Sequence, residues 1–284
     1  MKTLVVTADD FGLSLPVNEA VERAHRNGIL TAASLMTGAP RWQDAVARAR
    51  SMPSLGVGLH VTLINGRPVL PPAQIPNLVG PDDRFFNDPA KFGSALYFSS
   101  TARRQAQAEI AAQFERFRQT GLPMDHVNGH QHFHMHPVVS AAIAQLLPAF
   151  ASPPVRIPVE PPLFRAIADR RLFRLCTRAF YGVMTRQLRA RVMAAGSSVN
   201  DVVFGLNDSG AMVEARVTTF LEQLRPGVTE LYFHPATARW SGSDNLPADY
   251  HPEAEFAALV SPRLRTKVEA IGARLTSFRA AFEA

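Results

Sequence analysis

Residues 3–14 read Thr3-Leu4-Val5-Val6-Thr7-Ala8-Asp9-Asp10-Phe11-Gly12-Leu13-Ser14. Thr3–Ala8 is an apolar run of strand length that stops on two adjacent acids, which predicts a buried strand ending in charge. Asn18–Asn27 follows with helical spacing, and Gly28 supplies its stop. Thr31–Met36 and Gly56–Val61 read as two further buried strands. Strand, helix and strand in alternation predict βα units around a parallel sheet. The pattern continues outward. Thr101–Thr120 is a long helix closed by Gly121-Leu122-Pro123, and Asp125–Asn128, Val155–Ile157, Asp201–Phe204 and Glu230–Phe233 are strand candidates. Leu275–Phe278 is a fainter one. Leu63–Ser100 is dense in turn chemistry, with Asn65-Gly66, Pro71-Pro72 and Gly80-Pro81-Asp82-Asp83, and is expected to be a long loop.

Length and composition narrow the class. The chain has 284 residues, 46% hydrophobic and 19% charged, enough apolar surface for a large core and too much for disorder. At this length one α/β barrel is as natural as two domains of about 150 residues, and no low-complexity linker or internal repeat divides the sequence. A single domain is expected. One cysteine, Cys176, excludes a disulfide scaffold. No apolar run approaches the roughly 20 residues of a membrane span. The opening Met1-Lys2-Thr3-Leu4 and its early acids do not fit a signal peptide, so a cytoplasmic location is expected.

The formal charge is +6, yet only Lys2, Lys91 and Lys267 are lysines among 30 basic residues. Arg165, Arg170, Arg171, Arg174, Arg178, Arg186, Arg189 and Arg191 fall in the stretch 164–192, opposed there by Asp169 alone. The basicity is therefore local, and no nucleic-acid partner is expected. On a helical projection Arg171, Arg174, Arg178, Arg186 and Arg189 face away from Leu172, Cys176, Phe180, Val183 and Met184. Such a helix either packs on a barrel or lies on an anionic lipid surface, giving peripheral membrane contact.

Unusual polar residues recur where predicted strands end. Asp9 and Asp10 close the first strand, His60 lies near the end of Gly56–Val61, and His234-Pro235 follows Glu230–Phe233. Five of the nine histidines crowd into His126–His136. In an α/β barrel these ends share one rim, where active sites form. Imidazoles ligate Zn²⁺ and similar ions, and of two adjacent carboxylates one can bind a cation while the other takes a proton from water. Whether His132 or His134 accompanies His130 depends on whether the segment is extended or helical. His136 precedes Pro137, which is expected to take the first position of the next helix, so His136 is expected to be structural.

These residues carry a resemblance. Ala8-Asp9-Asp10-Phe11-Gly12-Leu13-Ser14, Val17-Asn18, Asn27-Gly28-Ile29-Leu30-Thr31, Gly58-Leu59-His60, Gly66-Arg67-Pro68, the His130–His134 block, Val155-Arg156-Ile157-Pro158 and His234-Pro235 resemble, in order, the YdjC-type carbohydrate deacetylases. The resemblance implies a distorted TIM-like (β/α) barrel, often a homodimer, that removes acetyl groups from N-acetylated sugars with one divalent metal ion, Zn²⁺, Mg²⁺ or similar. It implies Asp10, His60 and His130 as metal ligands and Asp9 as base. It implies His234 as the acid or as a residue that orients the substrate, and Asn128, His132, His134 and Arg156 are expected to bind substrate or support the ligands. Chitooligosaccharide members carry Asp-Ser where this chain has Asn128-Gly129, which argues against a chitin fragment. His126-Val127-Asn128-Gly129-His130, Gly210-Ala211-Met212 and Thr229–Pro235 are similar to the hopanoid-biosynthesis branch (HpnK), implying the N-acetylglucosaminyl headgroup of a hopanoid, a glycolipid, as substrate. The rival readings are a chitooligosaccharide deacetylase, a metal-dependent phosphoesterase and a non-catalytic glycolipid-binding protein.

Overall fold

The computed structural model describes residues 1–161, 171–241 and 246–283, with backbone alone over 171–181. Each strand is followed by one or more helices along the chain. They run β1 (Lys2–Phe11), α1 (Leu15–Asn27), β2 (Ala32–Leu35), α2 (Trp42–Arg50), β3 (Gly56–Val61), α3 (Pro89–Phe98), α4 (Ser100–Gln119), β4 (Val127–Gly129) and α5 (Pro137–Leu146). There follow α6 (Arg171–Ala194), β5 (Val202–Phe204), α7 (Glu214–Glu222), β6 (Gly227–Phe233), α8 (Pro252–Leu259), α9 (Pro262–Ala270), β7 (Arg274–Leu275) and α10 (Phe278–Phe282). The sheet order is β4-β3-β2-β1-β6-β5, with β7 also on β1, and every pairing is parallel.

This sheet is curled into a half-barrel. The gap between its β4 and β5 edges is spanned by residues 154–159. Val127 N–H donates to Pro154 O and Arg156 N–H to Val127 O, while Val155 N–H donates to Ser198 O and Val203 N–H to Val159 O. The side-chain amide of Asn200 bonds both backbone groups of Ile157, at 2.7 and 2.9 Å. Val155–Ile157, expected as a strand, is this irregular bridging segment.

The two-residue period of β1 sorts its side chains into two environments. Leu4, Val6 and Ala8 join the large cluster under the helices, with Phe114, Phe117, Leu188 and Phe220. Val5 turns the other way and packs with Ala32, Val228 and Phe278 in a separate small cluster. Phe278 opens α10, so this short helix plugs the end of the curl opposite the strand C-termini. Leu275–Phe278 is thus not one strand: Ser277 accepts from Ala280 N–H and begins a helix. Above the plug the interior is polar, with Thr7, Ser34, His126, Asn128, Arg156 and Glu230 all buried.

Between Leu63 and Ser100 the expected loop contains a helix. Asp88 accepts from the N–H groups of Ala90 and Lys91, and Pro89 occupies the first helical position of α3. The turn-rich approach hides that start signal. Of the basic stretch, Arg165 and Arg170 and the side chains of Arg171, Arg174, Arg178 and Cys176 lie outside the described residues. Arg186 is exposed. Arg189 donates to Asn200 O, and Arg191 to Pro137 O and Ser140 Oγ, so these two brace α6 against its neighbours instead of standing in a free basic face. Among the described residues no helix is long and apolar enough to cross a membrane.

Candidate metal centre and its cavity

In a regular strand Asp9 and Asp10 would point to opposite faces. Here the register against β2 shifts between Ala8 and Phe11, and Asp10 takes a left-handed φ of 62°. This local irregularity re-aims the carboxylates toward the same end of the barrel, a recurrent use of strand bulges near sites. Asn18 holds the turn that follows: its Oδ1 accepts from Gly12 N–H at 2.8 Å, and its Nδ2 donates to Arg41 O and Asp44. The strand therefore runs through both acids to Phe11 and does not stop at Ala8.

Asp10 Oδ1 lies 2.9 Å from His130 Nδ1 and 3.3 Å from His60 Nε2. Each of the three residues offers a ligand atom, all within 4.8 Å of one another. Burial pushes the Asp10 pKa up, but His130 and His60 outweigh it and hold the carboxyl well below its usual range. For His60 burial acts downward, and the charges of Asp9 and Asp10 outweigh it and raise the pKa. Two nitrogens and one oxygen are a donor set that Zn²⁺-like ions accept. The surrounding charge fits a cation too, because Asp9, Asp10 and Glu230 are all buried and the Arg156 guanidinium is paired with Asp9 and Glu230. The residues present thus suit a divalent ion.

Asp9 does not belong to that donor group. It is gripped by Arg156, with Nη1 2.6 Å from Oδ2 and Nη2 3.0 Å from Oδ1. The same guanidinium holds Glu230 through Nε and Nη2, at 2.9 and 2.6 Å, and lies 4.8 Å from the Tyr232 ring centre. Burial would raise the Asp9 pKa, but Arg156 and then His60 lower it far below the ordinary carboxylate value. Asp9 is held ionised. Asn128 completes its shell by donating to Oδ1 at 3.2 Å.

A cavity of about 240 Å³ opens over these groups, lined by Asp9, Asp10, His60, His130, His132, Tyr232 and His234 among others. Leu13, Met36, Leu206, Leu246 and Pro247 give it apolar walls, and Asn65, Gln131, Ser209 and Tyr250 give polar ones. Ser209 and Tyr250 are hydrogen-bonded to each other at 2.7 Å. His234 has a buried, unpartnered Nδ1, and its backbone N–H donates to Glu255. Burial lowers the His234 pKa, although Asp10 and Asp9 oppose it.

The His block divides by function of its backbone. Gln131 and His132 both adopt left-handed φ, 50° and 56°, so neither the helical nor the alternating spacing holds across it. His132 lines the cavity, its Nε2 3.2 Å from Tyr232 OH and its Nδ1 unpartnered. His134 instead turns beneath Gly129, where an added Cβ would stand 2.9 Å from its own, and bonds Arg156 O at 3.0 Å. Burial lowers its pKa to about 3. Pro137 opens α5 as expected, and His136 caps the helix by accepting from Val138 N–H. Asn128 and Arg156 sit behind the cavity wall as partners of His60 and Asp9.

Sequence reasoning missed Glu230, Tyr232, Tyr250, Ser209 and Glu255. The first two carry a signal: counting back by twos from His234 along β6 gives Tyr232 and Glu230, the same interior face. The other three come from loops and α8, where no period applies.

The model of the YdjC-like protein family matches residues 3–270 of this sequence. The chain belongs to the YdjC-like family. It is 30% identical to the carbohydrate deacetylase of Mus musculus, over 96% of this chain and 92% of that one. It is 37% identical to the carbohydrate deacetylase of Geobacillus stearothermophilus, over 55% of this chain and 58% of that protein's length. The fold is similar to that of an Enterococcus faecalis protein, a candidate cellobiose-phosphate cleavage protein, with a TM-score of 0.74, 21% identity and 98% of each chain covered.

Proposed function

We propose that this YdjC-like chain is a metal-dependent carbohydrate N-deacetylase, built on a distorted TIM-like barrel in which residues 154–159 are the irregular stave. The observation that carries the reading is the convergence of Asp10, His60 and His130 beside an ionised Asp9 in one cavity. Deacetylase relatives at 30% and 37% identity support the choice of reaction.

Asp10, His60 and His130 would hold the ion, which when bound supplies Lewis-acid polarisation and acidifies water. Asp9 accepts the proton of the attacking water. Its basicity is modest because Arg156 grips both oxygens, but the same grip fixes its geometry and keeps it ionised. Glu230 orients Arg156 from the opposite side, so the base rests on a buried Asp9–Arg156–Glu230 triad. His234 lines the cavity and, in its protonated form, which Asp10 and Asp9 favour against burial, passes its proton to the departing sugar nitrogen, which leaves as a free amine beside acetate. His132, neutral because burial and Arg156 lower its pKa, offers the substrate a hydrogen-bonding edge backed by Tyr232.

The substrate of this proposal is an N-acetylated sugar. Asn128-Gly129 and the apolar wall formed by Leu13, Met36, Leu206 and Leu246 support the N-acetylglucosaminyl headgroup of a hopanoid over a chitin fragment. Part of the basic stretch, with Arg186 exposed, would meet the membrane surface that presents such a lipid. The test is acetate release from an N-acetylglucosaminyl lipid and from chitobiose, with metal supplied. Release from the lipid supports the reading, and release of phosphate from a sugar phosphate in place of acetate rejects it.

A further inference from the structure

A line of buried polar side chains leaves the metal centre in the direction away from the cavity. His60 Nδ1 is 2.7 Å from Asn128 Oδ1, and Asn128 Nδ2 is 2.8 Å from Ser34 Oγ. Ser34 Oγ is 3.0 Å from His126 Nε2, and His126 Nδ1 is 2.9 Å from Asp125 Oδ2. Asp125 also accepts the backbone N–H groups of Phe278 and Arg279, at 3.1 and 3.0 Å, at the start of the α10 plug. Ser34, His60, His126, Asn128 and Asp125 are all buried, on β2, β3 and the β4 strand with its approach.

Space for this line is made by β3. A Cβ on Gly56 would stand 2.6 Å from the Asp125 carboxylate, and one on Gly58 2.5 Å from the His126 ring. Both glycines share a face with His60, two and four residues away. The chain thus gives up two side chains in its central sheet to admit a carboxylate and an imidazole that never reach the cavity.

We propose that Asp125, through His126, Ser34 and Asn128, is the positioning residue that fixes the tautomer of His60 and leaves its Nε2 lone pair facing Asp10. With Asp125 ionised, one direction of donors and acceptors along the line is favoured. The ionised Asp125 takes the Nδ1–H of His126, which makes Nε2 the acceptor. Ser34 O–H donates to that nitrogen, so its oxygen accepts from Asn128 Nδ2. The other Nδ2 hydrogen reaches Asp9, so Asn128 Oδ1 is left to accept Nδ1–H of His60. Turning the Asn128 amide over would set its oxygen 3.2 Å from Asp9 Oδ1, oxygen against oxygen. It would also send a proton back through Ser34 and leave the His126 Nδ1 lone pair against the Asp125 carboxylate. Both contacts are repulsive in a dry interior, where unpaired polar groups are most costly, whereas the preferred order carries one such contact, the His60 Nε2 lone pair 3.3 Å from Asp10 Oδ1, which a cation between them would relieve. Outer partners of a ligating imidazole set its orientation and basicity in this way.

The inference rests on the metal-site reading, and the experiment separates the two. Asp125→Asn and Ser34→Ala are compared with the wild-type chain in two measurements. One is Zn²⁺ affinity by chelator competition. The other is the imidazole ¹⁵N spectrum of the metal-free protein, at alkaline pH where the His60 ring carries one proton. Asp125→Asn supplies a donor at the head of the line and is expected to reverse it, moving the His60 proton to Nε2. Ser34→Ala cuts the line and leaves the long 3.2 Å contact to Asp9 as the one remaining hold on the Asn128 amide, so mixed tautomers are expected. Each variant is expected to bind Zn²⁺ about 10- to 100-fold more weakly, with native circular dichroism. A folded Ser34→Ala variant with unchanged tautomer and unchanged affinity overturns the inference, and decides alone should Asp125→Asn not fold. A wild-type chain that shows the Nδ1–H tautomer yet binds no Zn²⁺ leaves the tautomer assignment standing and removes the metal site.

Discussion

Arg156 meets Asp9 as a fork on a carboxylate, Nη1 to Oδ2 at 2.6 Å and Nη2 to Oδ1 at 3.0 Å, with both residues buried. That contact does two jobs. It neutralises one of the buried acids, and it sets the base of the proposed reaction at a fixed position above the His60–Asp10–His130 group. Because Asp9 is outside the donor set and Asp10 is inside it, adjacent residues are expected to fail differently when altered. Asp9→Asn should keep a full equivalent of metal and lose about 10²- to 10⁴-fold in turnover, the usual worth of a positioned base. His130→Ala should lose the metal itself. Metal content by mass spectrometry alongside acetate release checks both.

Arg156→Met is a test of folding energy. It leaves Asp9 and Glu230 facing each other in a dry interior without a cation between them. Removing one partner of a buried charge group costs about 3–5 kcal/mol, and this change strands two acids at once. Urea denaturation of the metal-free chain should show a loss of at least that size. A loss below about 1 kcal/mol, the scale of a surface ion pair, would mean that water reaches the triad.

Glu255 supplies a pH dependence. Burial, its largest influence, raises its pKa from 4.5 to about 7, although it accepts the N–H groups of Met212 and His234. The folded chain therefore holds this proton more tightly than the unfolded chain. The stability it contributes is complete below about pH 4.5 and is lost as pH climbs through about 7. A displacement of this size corresponds to roughly 3 kcal/mol. Glu255→Gln cannot ionise, so between pH 5 and pH 8 its stability should rise relative to the wild-type chain by up to that amount. Thermal midpoints of the two proteins across this range give the comparison, and parallel curves would contradict it.

The α10 plug leads to a prediction about stability. Phe278 is fully buried, its ring 4.7 Å from that of His126 and in contact with Val5, Ala32 and Val228. Phe278→Ala should cost about 3–5 kcal/mol through the cavity it leaves. A smaller cost would show that α10 can close over the gap.

Much of this site is legible in the amino-acid sequence. Strand ends carrying Asp9, Asp10, His60, His130 and His234 mark the rim, because a parallel barrel collects its C-terminal strand ends on one face. Period-two counting also makes Glu230 and Tyr232 recoverable. Other features have no local signal. The bulge that lets Asp9 and Asp10 share a mouth depends on pairing with β2, and the left-handed Gln131-His132 pair defeats both regular spacings. The Ser34–His126–Asp125 line joins residues up to 92 positions apart across neighbouring strands. Its sole sequence trace is the glycine at each alternate position before His60, which a propensity argument treats merely as a weakness in a strand. The helix α3 is hidden because Asp88-Pro89, its cap and first residue, is also ordinary turn vocabulary.

The central claim is that one cation held by Asp10, His60 and His130 turns this cavity into a deacetylase. Its most direct test is the mass of N-acetylglucosaminyl lipid and chitobiose after incubation with the chain, stripped of metal and then reloaded. The account predicts replacement of one acetyl group by hydrogen, with an equal amount of acetate, in the reloaded wild-type protein and in neither the stripped protein nor His130→Ala. Acetyl loss that persists in a folded, metal-free His130→Ala protein would contradict it, as would intact substrate after incubation with wild-type chain shown to carry one bound ion.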